Sequence, residues 1–208
     1  TGGEFRLSQS SGTGTMTVSG NCTLSGGILM GNNSTAGTTT TINGNLSMSG
    51  TSSLIIVSSS AASTVNVLGN MSFTGGTLTM TESTGTGTLK VAGDFTHTGG
   101  TITETGTPAG EIIFNGSSMQ TYTSGGTISN AINFTVNNGA YLQMAAETTT
   151  ITGGGTFTLV NGGKLGVKST GGISTSGATG NIRVTGTRTC NTGADYIYNG
   201  TSNQITGS

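Results

Sequence analysis

Charge is scarce in this chain. Only 6% of its 208 residues are Asp, Glu, Lys or Arg, and they leave a formal net charge of −1. Such a chain has no long-range field with which to recruit nucleic acid or an acidic lipid surface. Tryptophan is absent, and Pro108 is the one proline. Low charge with abundant Gly, Ser and Thr superficially resembles disorder. Disordered chains, however, are charged, proline-rich and poor in β-branched residues, whereas this one is rich in Thr, Val and Ile. No apolar run approaches the ~20 residues needed to cross a bilayer, so membrane insertion is not expected. The longest strongly apolar stretch, Leu54 to Val57, has the length of a buried strand. No signal peptide or initiator methionine is visible. Thr1 therefore reads as a processed terminus or, as the better fit, the cut end of a longer protein. Helical periodicity is lacking too, because Gly and Thr interrupt every window in which apolar residues would need to recur at i, i+3, i+4 and i+7.

What the chain has is a repeat. Gly20, Gly44, Gly69, Gly93, Gly116, Gly139, Gly162 and Gly186 recur at intervals of 23 to 25 residues. A fixed period of this size marks one supersecondary unit stacked on itself. In the first four units, apolar residues stand two and four positions from the glycine on either side, as in Val18, Cys22 and Leu24 or Val67, Met71 and Phe73. Alternation of period two places these inside and the intervening Thr and Ser outside. A third apolar cluster follows in each unit: Ile28 to Met30, Leu54 to Val57, Leu78 and Met80, Ile102. Three short strands per turn of about 24 residues define an all-β, three-sided parallel β-helix, a β-solenoid, whose crossovers are expected to be right-handed. Eight to nine coils would run roughly 40 Å.

Asn21, Asn45, Asn70 and Asp94 each follow a repeated glycine. Asn and Asp bond to nearby backbone and tolerate left-handed conformations, so these are expected to form a corner ladder. After Gly116 the apolar residues stand three and five positions beyond the glycine, as in Leu142 and Met144. A one-residue insertion or bulge would account for that slip. The segment Ile113-Phe-Asn-Gly-Ser-Ser-Met-Gln120 is echoed by Ile197-Tyr-Asn-Gly-Thr-Ser-Asn-Gln204. The second copy stands too close to Gly186 for the period, so a further module is expected to open at 194–208. Otherwise residues 1–208 read as one solenoid segment. Cys22 and Cys190 lie seven coils apart, about 34 Å at ~4.8 Å per coil. Bridged Cα atoms come within ~7 Å, so no intramolecular disulfide is expected.

Residues 155 to 207 carry Gly155-Thr-Phe-Thr-Leu-Val-Asn-Gly-Gly-Lys-Leu-Gly166, Gly180-Asn-Ile-Arg-Val-Thr-Gly-Thr-Arg188 and Ala194-Asp-Tyr-Ile-Tyr-Asn-Gly200. This stretch resembles the large repetitive adhesin-like surface proteins of Bacteroidetes, which are often cargo of type IX secretion. Over residues 1 to 150 only the general repeat style matches. The resemblance implies an extracellular or cell-surface location and a structural or adhesive role. It brings no catalytic residues and no cofactor.

The residues offer little chemistry of their own. Lys90, Asp94, His97, Glu104 and Glu111 are the densest titratable group, but Asp94 and His97 have opposite parity on one strand and should face opposite ways. His97, the single histidine, occupies a position that Leu24, Met48 and Phe73 mark as core. It reads as a buried imidazole, or else as a ligand or general base that would need partners within hydrogen-bond reach. Lys164, Lys168, Arg183 and Arg188 are four of the six basic residues. They mark a possible surface contact for an anionic glycan, or gatekeepers against edge association. The Gly-Thr-Gly-Thr stretches at 12–15 and 85–88 precede no helix, so they are not phosphate loops. Outward Thr pairs, Thr15 with Thr17 and Thr39 with Thr41, suggest ice binding. Lys90 and Glu111 interrupt that ladder, and Thr is in any case a good exposed strand residue. The reading is therefore a structural or adhesive β-solenoid, not an enzyme. A glycan-binding module or polysaccharide-degrading β-helix enzyme is the alternative, and ice binding the next. Expected partners are flanking solenoid modules, head-to-tail copies, or glycans and surfaces.

Overall fold

The computed structural model describes residues 3–7, 12–174 and 177–206. These contain twenty strands and no helix. Every strand pairing is parallel. The strands form an eight-stranded and a twelve-stranded sheet. Successive partners lie about 24 residues apart, and the chain completes about seven turns rather than the eight to nine expected. The longest coil is at the C-terminal end and takes 31 residues, from Leu159 to its partner Cys190.

The inward residues stack in columns along the axis. One runs through Val18, Ile42, Val67, Val91, Phe114, Val136, Leu159 and Cys190. A second runs through Cys22, Leu46, Met71, Phe95, Tyr122 and Met144, and the same register leads on to Val167 and Tyr198. A third holds Leu24, Met48, Phe73 and His97. Members between the ends are almost wholly buried, among them Ile42, Leu46, Phe73, Phe114 and Val136. At about 25 cal/mol per Å² of apolar surface, these columns are the main source of stability. At the N-terminal edge the described residues cover the same columns less completely. Met16, Val18, Cys22 and Leu24 are only half-buried, and with Phe5 and Ile28 they line an open groove of about 450 Å³.

The corner between the two sheets exists in two forms. In the first four coils it is tight: four residues separate Val18 from Cys22, Ile42 from Leu46, Val67 from Met71 and Val91 from Phe95. Here the expected ladder is present. Asn21 Oδ1 accepts the Asn45 N–H at 2.8 Å, Asn45 Oδ1 that of Asn70 at 2.8 Å, and Asn70 Oδ1 that of Asp94 at 2.9 Å. The glycines are needed for close approach. A Cβ on Gly44, Gly69 or Gly93 would lie 2.3–2.5 Å from the Asn Oδ1 of the preceding coil.

From the fifth coil the corner is longer. Eight residues separate Phe114 from Tyr122, Val136 from Met144, Leu159 from Val167 and Cys190 from Tyr198. The slip after Gly116 is thus an insertion of four residues rather than one. The motif Asn115-Gly-Ser-Ser-Met-Gln120 makes the change. Buried Gln120 accepts the Gly116 N–H at 2.7 Å and donates to Val91 O at 2.8 Å and Gly93 O at 2.7 Å. Its echo builds the same device: Gln204 accepts the Gly200 N–H at 2.7 Å and donates to Val167 O and Ser169 O at 3.0 and 3.1 Å. The third side shrinks in compensation. The strands Ile28–Asn32 and Ser53–Val57 give way to Thr127–Ile128 and then to a single bridge between Ile151 and Ile182.

Two further expectations change. Gly186 does not belong to the corner column, because its N–H bonds to Gly155 O, on the approach to a strand. Gly193 takes that place, receiving the Gly162 N–H at 3.0 Å. And Asp195–Tyr198 pairs with Lys164–Val167, so this segment continues the solenoid. Residues 207 and 208 of the expected further module lie outside the described residues.

Candidate functional site

The most regular surface is the outer face of the eight-stranded sheet. Two side chains per strand point outward, in two parallel columns. One runs Thr15, Thr39, Thr64, Thr88 and Glu111, then Asn133, Thr156 and Thr187. The other runs Thr17, Thr41, Asn66, Lys90, Ile113, Thr135, Thr158 and Thr189. Thr dominates both because a β-branched side chain suits an exposed pleat. Rows are ~4.8 Å apart, and the two residues of a row about 6.7 Å apart. Thr15, Thr17, Thr39, Thr187 and Thr189 are exposed and the rest half-buried. Coil-to-coil bonds brace the columns: Thr135 Oγ1 donates to Glu111 Oε1 at 2.6 Å, and Thr156 Oγ1 to Asn133 Oδ1 at 3.0 Å. From the sequence these rows are expected at Thr15, Thr17, Thr39 and Thr41, with an interruption at Lys90 and Glu111, and the last three are missed.

The titratable group of the fourth coil is dispersed. Lys90 and Glu111 face outward on this sheet. Asp94 is exposed at the corner, its Oδ1 accepting the Thr121 N–H at 2.7 Å. His97 faces inward and is wholly buried. Its ring stacks on Phe73 with centroids 5.1 Å apart and lies 6.1 Å from Phe95. Neither ring nitrogen has a hydrogen-bond partner. Burial lowers its pKa to about 4, and the nearby Gly100 backbone opposes the shift. Glu104 is also buried, in line with Met80 rather than near His97. It accepts the Gly110 N–H at 2.6 Å. Burial raises its pKa, against the backbone N–H groups of Gly110 and Ala131. Among the described residues, no three His, Cys, Asp or Glu side chains group so as to hold a metal ion.

The four basic residues occupy different settings. Lys164 pairs with Asp195 at 3.0 Å on the twelve-stranded sheet. Arg183 is exposed and donates to Gly180 O at 2.9 Å. Arg188 stands in register with buried Phe157 on the other sheet, its guanidinium donating to Val184 O. Lys168 donates to Ala145 O at 3.1 Å and, with Glu147 and Thr201, edges a pocket of about 260 Å³. Buried Asn181 fixes the walls of that pocket, accepting the Lys168 and Ser169 N–H groups and donating to Ala146 O, Glu147 O and Thr149 O. Cys22 and Cys190 are free thiols, their pKa values raised by burial.

Compared with known proteins, this chain matches no family model, no curated protein and no solved structure.

Proposed function

We propose that this chain is a structural and adhesive segment of a secreted or cell-surface repetitive protein. It acts as an extended stalk and contact surface. One observation carries the reading: a face eight strands long presents hydroxyl and amide side chains at a fixed repeat, while the carboxylates that a hydrolytic site would need to converge are dispersed. A contact surface gains from many small polar contacts at low entropic cost, and Thr, stiff at χ1, suits that use. The half-buried N-terminal columns support flanking solenoid modules or head-to-tail copies as partners. The pocket beside Lys168 favours a second reading, glycan binding, since Lys168, Glu147 and Thr201 all line it. Beads coated with the purified chain, passed under flow over polysaccharide-coated and cell-coated surfaces, test the proposal. Retention above a blocked control is expected. Absence of retention together with release of reducing ends from a polysaccharide would overturn it in favour of an enzyme.

A further inference from the structure

We propose that the outer face of the eight-stranded sheet binds ice. The ligand follows from the form of the surface. A small soluble molecule meets a few side chains, whereas a pair of columns repeated from coil to coil is matched along its whole length by a ligand that is itself periodic. Each Thr places a hydroxyl and a methyl group at one site, and χ1 is restricted by branching at Cβ. Parallel pairing repeats that site from coil to coil, Thr15 beside Thr39 and Thr17 beside Thr41, then again Thr135 beside Thr158. Ordered first-layer water held on such sites can join a crystal without stripping charge of its hydration, a step that is costly for ionised groups. The face is uncharged except at its centre. There Lys90 and Glu111 stand on adjacent strands beside Ile113. Glu111 is partly withdrawn, because its Oε1 accepts the Thr135 hydroxyl. The face therefore comprises two Thr-rich patches, one in the first three to four coils and one in the last three, separated by this band.

The band makes the proposal sharp. The purified chain is expected to shape single ice crystals and slow ice recrystallisation. Thr39→Lys and Thr158→Lys, one in each patch, should each lower that activity several-fold. Lys90→Thr with Glu111→Thr, which joins the patches, should raise it several-fold. Thr96→Lys, on the outer face of the twelve-stranded sheet, should leave it unchanged. All these side chains point outward, Thr39 exposed and the others half-buried, and circular dichroism of each variant confirms that the fold is kept. No effect of the chain on ice overturns the proposal, as does equal loss in Thr96→Lys and Thr39→Lys. So does retention on microcrystalline cellulose or chitin without any effect on ice, which would assign the face to a crystalline polysaccharide. The outcome is separable from the adhesive reading: a chain that fails to hold beads under flow yet slows recrystallisation keeps this inference and loses the other.

Discussion

The first four coils and those that follow, the 31-residue coil apart, have nearly the same length, yet they distribute it differently. In the first, a tight corner is held by Asn amides that bond from one coil to the next, and all three sides carry strands. In the second, the corner is longer by four residues and the third side is reduced to a bridge. Turns there close on themselves: the Ala140 N–H bonds to Asn137 O, the Gly163 N–H to Val160 O and the Ala194 N–H to Asn191 O. Periodicity therefore constrains the rise per coil and the stacking of columns, not the shape of the cross-section. A solenoid can change its outline in mid-chain if one side chain reconciles the two corners, and Gln120 is that side chain.

The largest expected effect is at this seam. Gln120→Ala removes three hydrogen bonds, two of them buried; it strips the Gly116 N–H and Gly93 O of these partners, while Val91 O keeps the Asn115 N–H. Each unsatisfied buried group costs ~1–3 kcal/mol, so a loss of about 4 kcal/mol is expected from denaturant unfolding. Gln204→Ala breaks the same device near the C-terminal edge, where Gln204 is half-buried, and should cost about a third as much. Equal costs would show that the seam is nothing special. Gly69→Ala comes next. Its Cβ would lie 2.5 Å from Asn45 Oδ1 and 2.7 Å from Gly44 O, so the two coils must part. A loss of about 2–3 kcal/mol is expected, in the range of overpacked cores.

Much of this architecture is legible in the sequence. Apolar alternation around Gly20, Gly44, Gly69 and Gly93 gives the inward columns, because in those coils glycine and strand keep a constant offset. Legibility fails where the period conceals an exchange. Residues added between Phe114 and Tyr122 are removed from the third side, so the interval between glycines stays near 23 and the slip looks like a single residue. Gly186 falls at the right interval by coincidence, inside a coil of 31 residues. The Thr rows at 135, 158 and 189 escape notice for the same reason: Gly139 and Gly162 sit three residues past their strands where Gly93 sits two past. His97 is legible as core, since its column neighbours are apolar. The solitary settings of Glu104 and Lys168 are not, because they depend on which loops close over them.

His97 belongs to the tight-corner half and makes that half sensitive to acid. In the unfolded chain the ring binds a proton below about pH 6.5, whereas in the folded chain it does so only near pH 4. Stability is therefore full above pH 6.5 and declines as pH falls through this window, by about 3 kcal/mol in all. Glu104 has the opposite sign, because its pKa is raised by folding. It contributes stability in the acid range that is lost as pH rises through its folded-state pKa. His97→Leu, which restores the side chain found at Leu24 in the same column, separates the two. Denaturant midpoints measured from pH 7 to pH 4 should fall less steeply in the variant than in the native chain. Parallel slopes would mean that the imidazole is hydrated or paired in solution.

The smallest effect sharpens the contrast between the two kinds of corner glycine. Gly139 has φ of 77°, and nothing lies within 4 Å of where its Cβ would be. Its replacement meets no neighbour, so the whole cost is that of a left-handed backbone, ~1–2 kcal/mol for an ordinary residue. Gly139→Ala should thus lose about 1 kcal/mol. Gly139→Asn should lose less, because Asn tolerates that conformation through local hydrogen bonding. At Gly69 the order should differ, since Asn is larger than Ala and the obstacle there is space rather than φ. If Asn rescues both positions alike, the glycines of the tight corners serve conformation too, and the two halves turn by one mechanism.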